Sequence, residues 1–164
     1  MERAKARLAI GVPFTLLIIF LLLFIKLGGS MNNGALLKLM YVLLTANVAL
    51  LFFGESKGQL FAGLFVTSPM LVFQKSILAL GTLLIALMNH QWLKRSVHMP
   101  EFFMLMLSAL LGMYFMLSSG NMLIFYLSLE LATIPVAALA NFDLDKKISS
   151  EAAMKMILSS AFAS

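Results

Sequence analysis

Glu130 is the residue of this sequence best placed to do chemistry. It lies eight residues after Met122 and ten before Ala140, near the middle of an apolar run. An acid at the centre of a membrane helix costs about 2.5–3.5 kcal/mol on insertion scales, and a carboxylate is too short to reach an interface from there. Intramembrane acids usually mark ion or proton pathways. The bland reading is a protonated Glu130 hydrogen-bonded to a neighbouring helix as packing glue. The functional reading, which we favour, is a carboxyl that gains and loses a proton as a cation approaches and withdraws. Pro135, five residues on, cannot donate to the carbonyl of Leu131 and should bend the helix there. A freed carbonyl beside a central carboxyl invites water, although proline also serves as a plain packing kink in membrane helices. Lys155, about six residues into the last helix, is the next candidate. Its bland reading is a local Glu151–Lys155 i,i+4 pair, worth about a few tenths of a kcal/mol.

Composition says which elements must position these groups. The 164 residues are 62% hydrophobic and only 12% charged, against about 45–50% and 25% for a soluble domain. The chain is too rich in Leu, Phe and Met for disorder. With no Cys, disulfides, Fe–S clusters, thiolate zinc sites and Cys nucleophiles are excluded. The net charge of +5 is spread in ones and twos between apolar runs, which is the pattern of membrane loops and not of a nucleic-acid surface.

A crossing helix needs about 20 apolar residues. The runs predict an all-α, polytopic transmembrane bundle with helices over about 8–27, 35–53, 70–88, 101–117, 122–140 and 149–164. That makes five full spans and a sixth that is cut short at Ser164. The stretch from Leu60 to Val66 is too short to cross and reads as interfacial or re-entrant. Pro69 suits the first turn of the third helix. Ser149 or Ser150 suits the N-cap of the sixth, with Glu151 at the positive end of its dipole. The basic arm of Arg3, Lys5 and Arg7 resembles a signal-peptide start. The following run is too long for one and lacks a small-residue cleavage site, so a retained helix is expected. Lys26, Lys38, Lys94, Arg95, Lys146 and Lys147 fall on one side, and Arg3, Lys5, Arg7, Lys57 and Lys75 on the other. Positive-inside bias puts the first group in the cytoplasm and the N-terminus outside, against the pull of the basic arm. Lys26, Lys38 and Lys75 lie near helix ends, from which a long side chain can snorkel outward.

Other motifs are weak. Asp143-x-Asp145 is half of a cation loop followed at once by two Lys residues, and reads as a solvated turn. His90 and His98 share a loop without further ligands, so no metal or haem site is expected. The serines have no paired His for hydrolase chemistry, and the glycines form no dinucleotide fingerprint. The 13 Met residues are mostly gap-filling apolar side chains.

The last third carries a specific resemblance. The stretch 115–139, with Asn121-Met-Leu and Tyr126-Leu-Ser-Leu-Glu130-Leu, and the stretch 151–164, opening Glu151-Ala-Ala-Met-Lys155, closely resemble a known family. They are similar to the antiporter-like membrane subunits of proton-pumping NADH:quinone oxidoreductase (respiratory complex I), and among these to the subunit N family. That family shows Asn-Leu-Leu and Tyr-Leu-Gly-Leu-Glu-Leu in its fifth helix and Glu-Ala-Ala-x-Lys opening its sixth. The resemblance implies a bundle with inverted repeats in a bacterial inner membrane, in which Glu130 and Lys155 carry proton translocation. It implies further lysines in later helices that this chain lacks, partner membrane subunits, and no cofactor here. NADH, FMN, Fe–S clusters and quinone would be handled by other subunits. The family often has Val-Asp-x-Phe before its third helix, whereas this chain reads Val66-Thr-Ser-Pro-Met70 without the acid. Family chains are also much longer, so the resemblance covers an N-terminal portion that should not pump alone. Runner-up readings are a subunit of a cation/proton antiporter or membrane-bound hydrogenase, and a small structural membrane protein.

Overall fold

A computed structural model describes residues 11–29, 32–53, 58–60, 63–96, 98–142 and 147–163. Seven helices and one hairpin form among them. In chain order they are α1 (Gly11–Gly28), α2 (Asn33–Phe52), β1 (Gly58–Leu60), β2 (Phe65–Thr67), α3 (Pro69–Met88), α4 (His90–Arg95), α5 (Met99–Ser118), α6 (Met122–Ala140) and α7 (Lys147–Ala163). Helices α1, α2, α3, α5 and α6 are long and apolar enough to cross a membrane. The chain is therefore a multi-pass helical membrane protein. Helix α7, at 17 residues, extends about 25 Å. The basic arm of Arg3, Lys5 and Arg7, the start of the first apolar run at Leu8, Lys57, Lys146 and the Asp143-x-Asp145 motif lie outside the described residues.

Local chemistry sets the helix starts. Asn32 caps α2 by accepting from the Gly34 N–H at 3.2 Å. Ser68 caps α3 by accepting from the Leu71 N–H at 3.3 Å, with Pro69 in the first turn. Asn121 caps α6 by accepting from the Ile124 N–H at 2.9 Å. An exposed cap of this kind is worth about 1 kcal/mol. Asn121→Ala is expected to lower the stability of the detergent-solubilised protein by about that much, read as a lower denaturation midpoint.

α5 is the axis of the bundle. It is the helix with the largest share of buried residues and packs on α1, α3 and α6. Phe103, Leu107, Leu110 and Tyr114 on α5 meet Ile18, Leu22, Met40 and Leu44 in the core. The α5–α6 contact is the most extensive and the closest. A Cβ added at Gly112 would stand 2.5 Å from the Ala132 nitrogen and 2.8 Å from the Ala132 Cα. Small residues at such points let membrane helices approach through their backbones.

The structure adds to three expectations. In the stretch 60–66, expected to be interfacial or re-entrant, Leu60 and Phe65 are paired in an antiparallel hairpin, with Gln59 opposite Val66 and Gly58 opposite Thr67. Gly63 turns at φ 90°. A segment too short to cross satisfies its backbone by strand pairing, and β2 then bridges Phe65 to Ser119 while the Gly120 N–H donates to the Leu64 carbonyl at 2.8 Å. The helix expected from Ser149 or Ser150 begins at Lys147. The two serines bind the end of α6 instead, Ser149 Oγ donating to the Ala140 carbonyl at 2.6 Å and Ser150 Oγ to Asn141 Oδ1 at 2.9 Å. One of the lysines expected to snorkel does not, since Lys75 is buried. Lys26, half-exposed in the last turn of α1, pairs with Glu101 at 2.8 Å and so ties α1 to α5.

Candidate functional site

Glu130 sits in the third turn of α6, half-buried, where α6 faces α7. Thr133, Ile134 and Ala137 of the same helix and Met156, Ile157 and Ser160 of α7 join it around a cavity of ≈ 100 Å³. That volume holds several waters, and the wall is apolar apart from the Glu130 carboxyl and the Thr133 and Ser160 hydroxyls. Among the described residues the Glu130 carboxylate has no ion-pair or hydrogen-bond partner, while the Thr133 hydroxyl donates to the Glu130 backbone carbonyl at 3.3 Å. A carboxyl in a small, poorly polar cavity has its charge stabilised mainly by whatever enters that cavity.

Pro135 is buried in the same helix, and α6 continues through it to Ala140. Having no N–H, it leaves the Leu131 carbonyl without its usual donor. The Leu131 carbonyl carbon lies 2.8 Å from the position a Gly112 Cβ would take. The stretch loosened by proline is thus pressed against the glycine face of α5.

Lys155 is not in contact with Glu130. Its Nζ is 2.6 Å from Glu151 Oε1, and both side chains lie mostly exposed on α7. The i,i+4 spacing makes this local pair. Met156, next in sequence, does face the Glu130 cavity. At about 3.6 residues per turn, Met156, Ile157 and Ser160 project on the side of α7 away from Glu151 and Lys155, so the cavity and the ion pair occupy nearly opposite faces of the helix.

At the opposite end of α3 from the hairpin, the histidines are tied into the scaffold. Tyr41 Oη donates to the Ala86 carbonyl at 3.1 Å and is 2.9 Å from His90 Nδ1. His98 Nδ1 lies 3.4 Å from Glu101 Oε1. No group of three or more His, Asp or Glu able to hold a metal ion is found among the described residues.

One polar group was missed from sequence. Lys75, with 6% exposure, donates from Nζ to Ser118 Oγ at 2.5 Å. A signal was present: Lys75, Ala79, Thr82 and Ala86 recur at four, three and four residues, a stripe of small and polar side chains on one face of α3. Such stripes face protein in membrane helices.

Comparison with known proteins places these helices. Residues 119–164 match the family model described as NADH:quinone oxidoreductase/Mrp antiporter, transmembrane. Over 108 residues the chain is 50% identical to NADH-quinone oxidoreductase subunit N of Phocaeicola vulgatus, covering 64% of this chain and 23% of that protein. The chain matches part of a subunit N. The subunit N of Azobacteroides pseudotrichonymphae is 42% identical over 110 residues, 65% of this chain and 23% of its own length. The subunit N of Acidithiobacillus ferrooxidans is 33% identical over 138 residues, 84% of this chain and 29% of its own. The chain thus spans about a quarter of the length of the subunit N relatives it matches. The family match includes both α6, with Glu130, and α7, with Lys155.

Proposed function

We propose that this chain is part of a proton-translocating membrane subunit of NADH:quinone oxidoreductase, with Glu130 as a carboxyl that carries the proton. The observation supporting this most directly is a mid-helix carboxyl, without a partner among the described residues, on the wall of a cavity between α6 and α7 large enough for several waters. The cavity supplies a place for the water that delivers and removes the proton. In this proposal Lys155 supplies the cation whose field acts on Glu130; held by Glu151, it lies on the face of α7 turned away from the cavity. A rearrangement elsewhere in the complex that loosens the Glu151–Lys155 pair would bring positive charge toward Glu130 and expel its proton.

The redox steps belong to other subunits in this proposal. A chain without Cys offers no thiolates for Fe–S clusters, so electrons from NADH pass through FMN, Fe–S centres and quinone held elsewhere. Partner membrane subunits and lipid cover the large apolar side chains left outward on α6 and α7, among them Leu123, Leu127, Met154 and Phe162. The proposed setting is a bacterial inner membrane.

Acidification of vesicles carrying the assembled complex, with Glu130→Gln beside the parent, tests the role of Glu130; acidification at the parent rate refutes it. Lys155→Gln is expected to lower the rate about three-fold, less than the Glu130 change, because the lysine acts through its field and not as the carrier. The family description also names Mrp antiporters, which supports a second reading as a cation/proton antiporter subunit. Proton movement driven by a sodium gradient, and not by quinone reduction, would favour that reading.

A further inference from the structure

Lys75 lies nearly two turns inside α3 and its ammonium is packed against the last residue of α5, Ser118, itself buried. The hairpin lies over this end of α5, through the Phe65–Ser119 bridge, the Gly120-to-Leu64 hydrogen bond and the Phe65 and Phe115 rings, 5.5 Å apart. The carbonyl end of a 20-residue helix favours a cation. Even so, one hydroxyl and a helix terminus are a thin shell for three N–H donors out of water. The helices packed against α3 are α2 and α5, whose titratable side chains are Lys38, Tyr41, Glu101 and Tyr114. The first three are at the far end of the bundle, where Tyr41 bonds to Ala86 and Glu101 pairs with Lys26. Tyr114 alone shares the Lys75 end. It lies one turn below Ser118 on α5, fully buried, with Asn47 of α2 beside its hydroxyl. The Tyr114 hydroxyl and both polar side-chain atoms of Asn47 have no hydrogen-bond partner. Buried polar atoms that the protein leaves unmatched are where interiors hold water.

We propose that Lys75, Ser118, Tyr114 and Asn47 form a second proton-holding site, between α2, α3 and α5, in which Lys75 Nζ is the group that gains and loses the proton. On release an N–H bond of the ammonium breaks, its electron pair stays on nitrogen, and the proton passes to a water held by Tyr114 and Asn47. Uptake is the reverse, and nothing is oxidised or reduced. Ser118 Oγ accepts from the ammonium and turns its own hydrogen toward the amine once the proton has left. The site rests on the proposal that this chain moves protons, but it uses no residue of α6 or α7.

The test is vesicle acidification by the whole complex carrying Lys75→Arg or Lys75→Met, with Glu130→Gln measured alongside. Arg keeps the cation and the donor to Ser118 but does not release a proton at working pH, so both Lys75 variants should acidify at least about five-fold more slowly than the parent. Parent-rate acidification by Lys75→Arg would show that a fixed charge clamping the end of α5 is sufficient, and would overturn the inference. Parent-rate acidification by Lys75→Met would overturn it too. Should neither complex assemble, Ser118→Ala takes their place; it leaves the lysine and is expected to slow acidification at least about three-fold by removing the acceptor. A parent rate in Ser118→Ala overturns the inference. If Glu130→Gln acidifies like the parent while Lys75→Arg does not, the role of Glu130 falls and that of Lys75 stands.

Discussion

Glu130→Gln is expected to leave the complex assembled and to lower its proton pumping at least about ten-fold, the scale on which removing a positioned proton-transfer group acts. Gln matches Glu in length and volume, so the contacts of Thr133, Ile134 and Ala137 with α7 across the cavity are kept. It can donate and accept hydrogen bonds, so a carboxyl that only glued helices together would be replaced without loss. What Gln lacks is a proton that comes and goes. Glu130→Asp separates the two ideas further. It keeps the carboxyl but withdraws it by one methylene, about 1.5 Å, and should pump at a rate between those of Gln and parent. The measurement is the initial rate of acidification of vesicles containing the complex, at equal amounts of assembled enzyme. Parent-rate pumping by Glu130→Gln would reduce the carboxyl to packing.

How far this site could be read from the sequence depended on whether its partners are local. Glu130 stands out because one acid in the middle of an apolar run needs nothing else to be noticed. The Glu151–Lys155 pair is legible for a similar reason, since the helix repeat alone brings residues four apart together. Lys75 was not. Six residues from Pro69, it sits at the depth of a lysine that snorkels; the stripe it shares with Ala79, Thr82 and Ala86 marks a face that meets protein, but not which group the ammonium meets there. By docking on Ser119 and Gly120, the hairpin lies over the end of α5 to which the lysine bonds. The pairing of Lys26 was not legible because Glu101, its partner, is remote in sequence. Hydropathy identifies the bundle of apolar helices, but it carries no information on which faces meet. The cavity between α6 and α7 and the polar group around Tyr114 both depend on those faces.

Gly112→Ala is expected to destabilise the protein by about 1–3 kcal/mol, the range for overpacking a close contact. The sign is the informative part. Gly to Ala inside a helix ordinarily gains up to about 1 kcal/mol from helix propensity, and that gain should be seen at Gly81 of α3, where an added Cβ meets nothing within 4 Å. At Gly112 the new carbon would stand 2.5 Å from the Ala132 nitrogen and 2.8 Å from the Leu131 carbonyl carbon. These are backbone atoms that cannot rotate aside, so α6 must move off α5. Ala132 is two residues from Glu130, and the displaced stretch is the one Pro135 has already deprived of a hydrogen bond. The movement therefore shifts Glu130 against Ser160 on the far wall of the cavity. Gly112→Ala should consequently lower both the denaturation midpoint and the rate of vesicle acidification, while Gly81→Ala lowers neither. If the two variants proved equally stable, the backbone contact between α5 and α6 would not be as close as described. Loss of stability at normal pumping would mean that Glu130 tolerates the displacement, and that the cavity wall does not need to be held within an ångström for the proton to move.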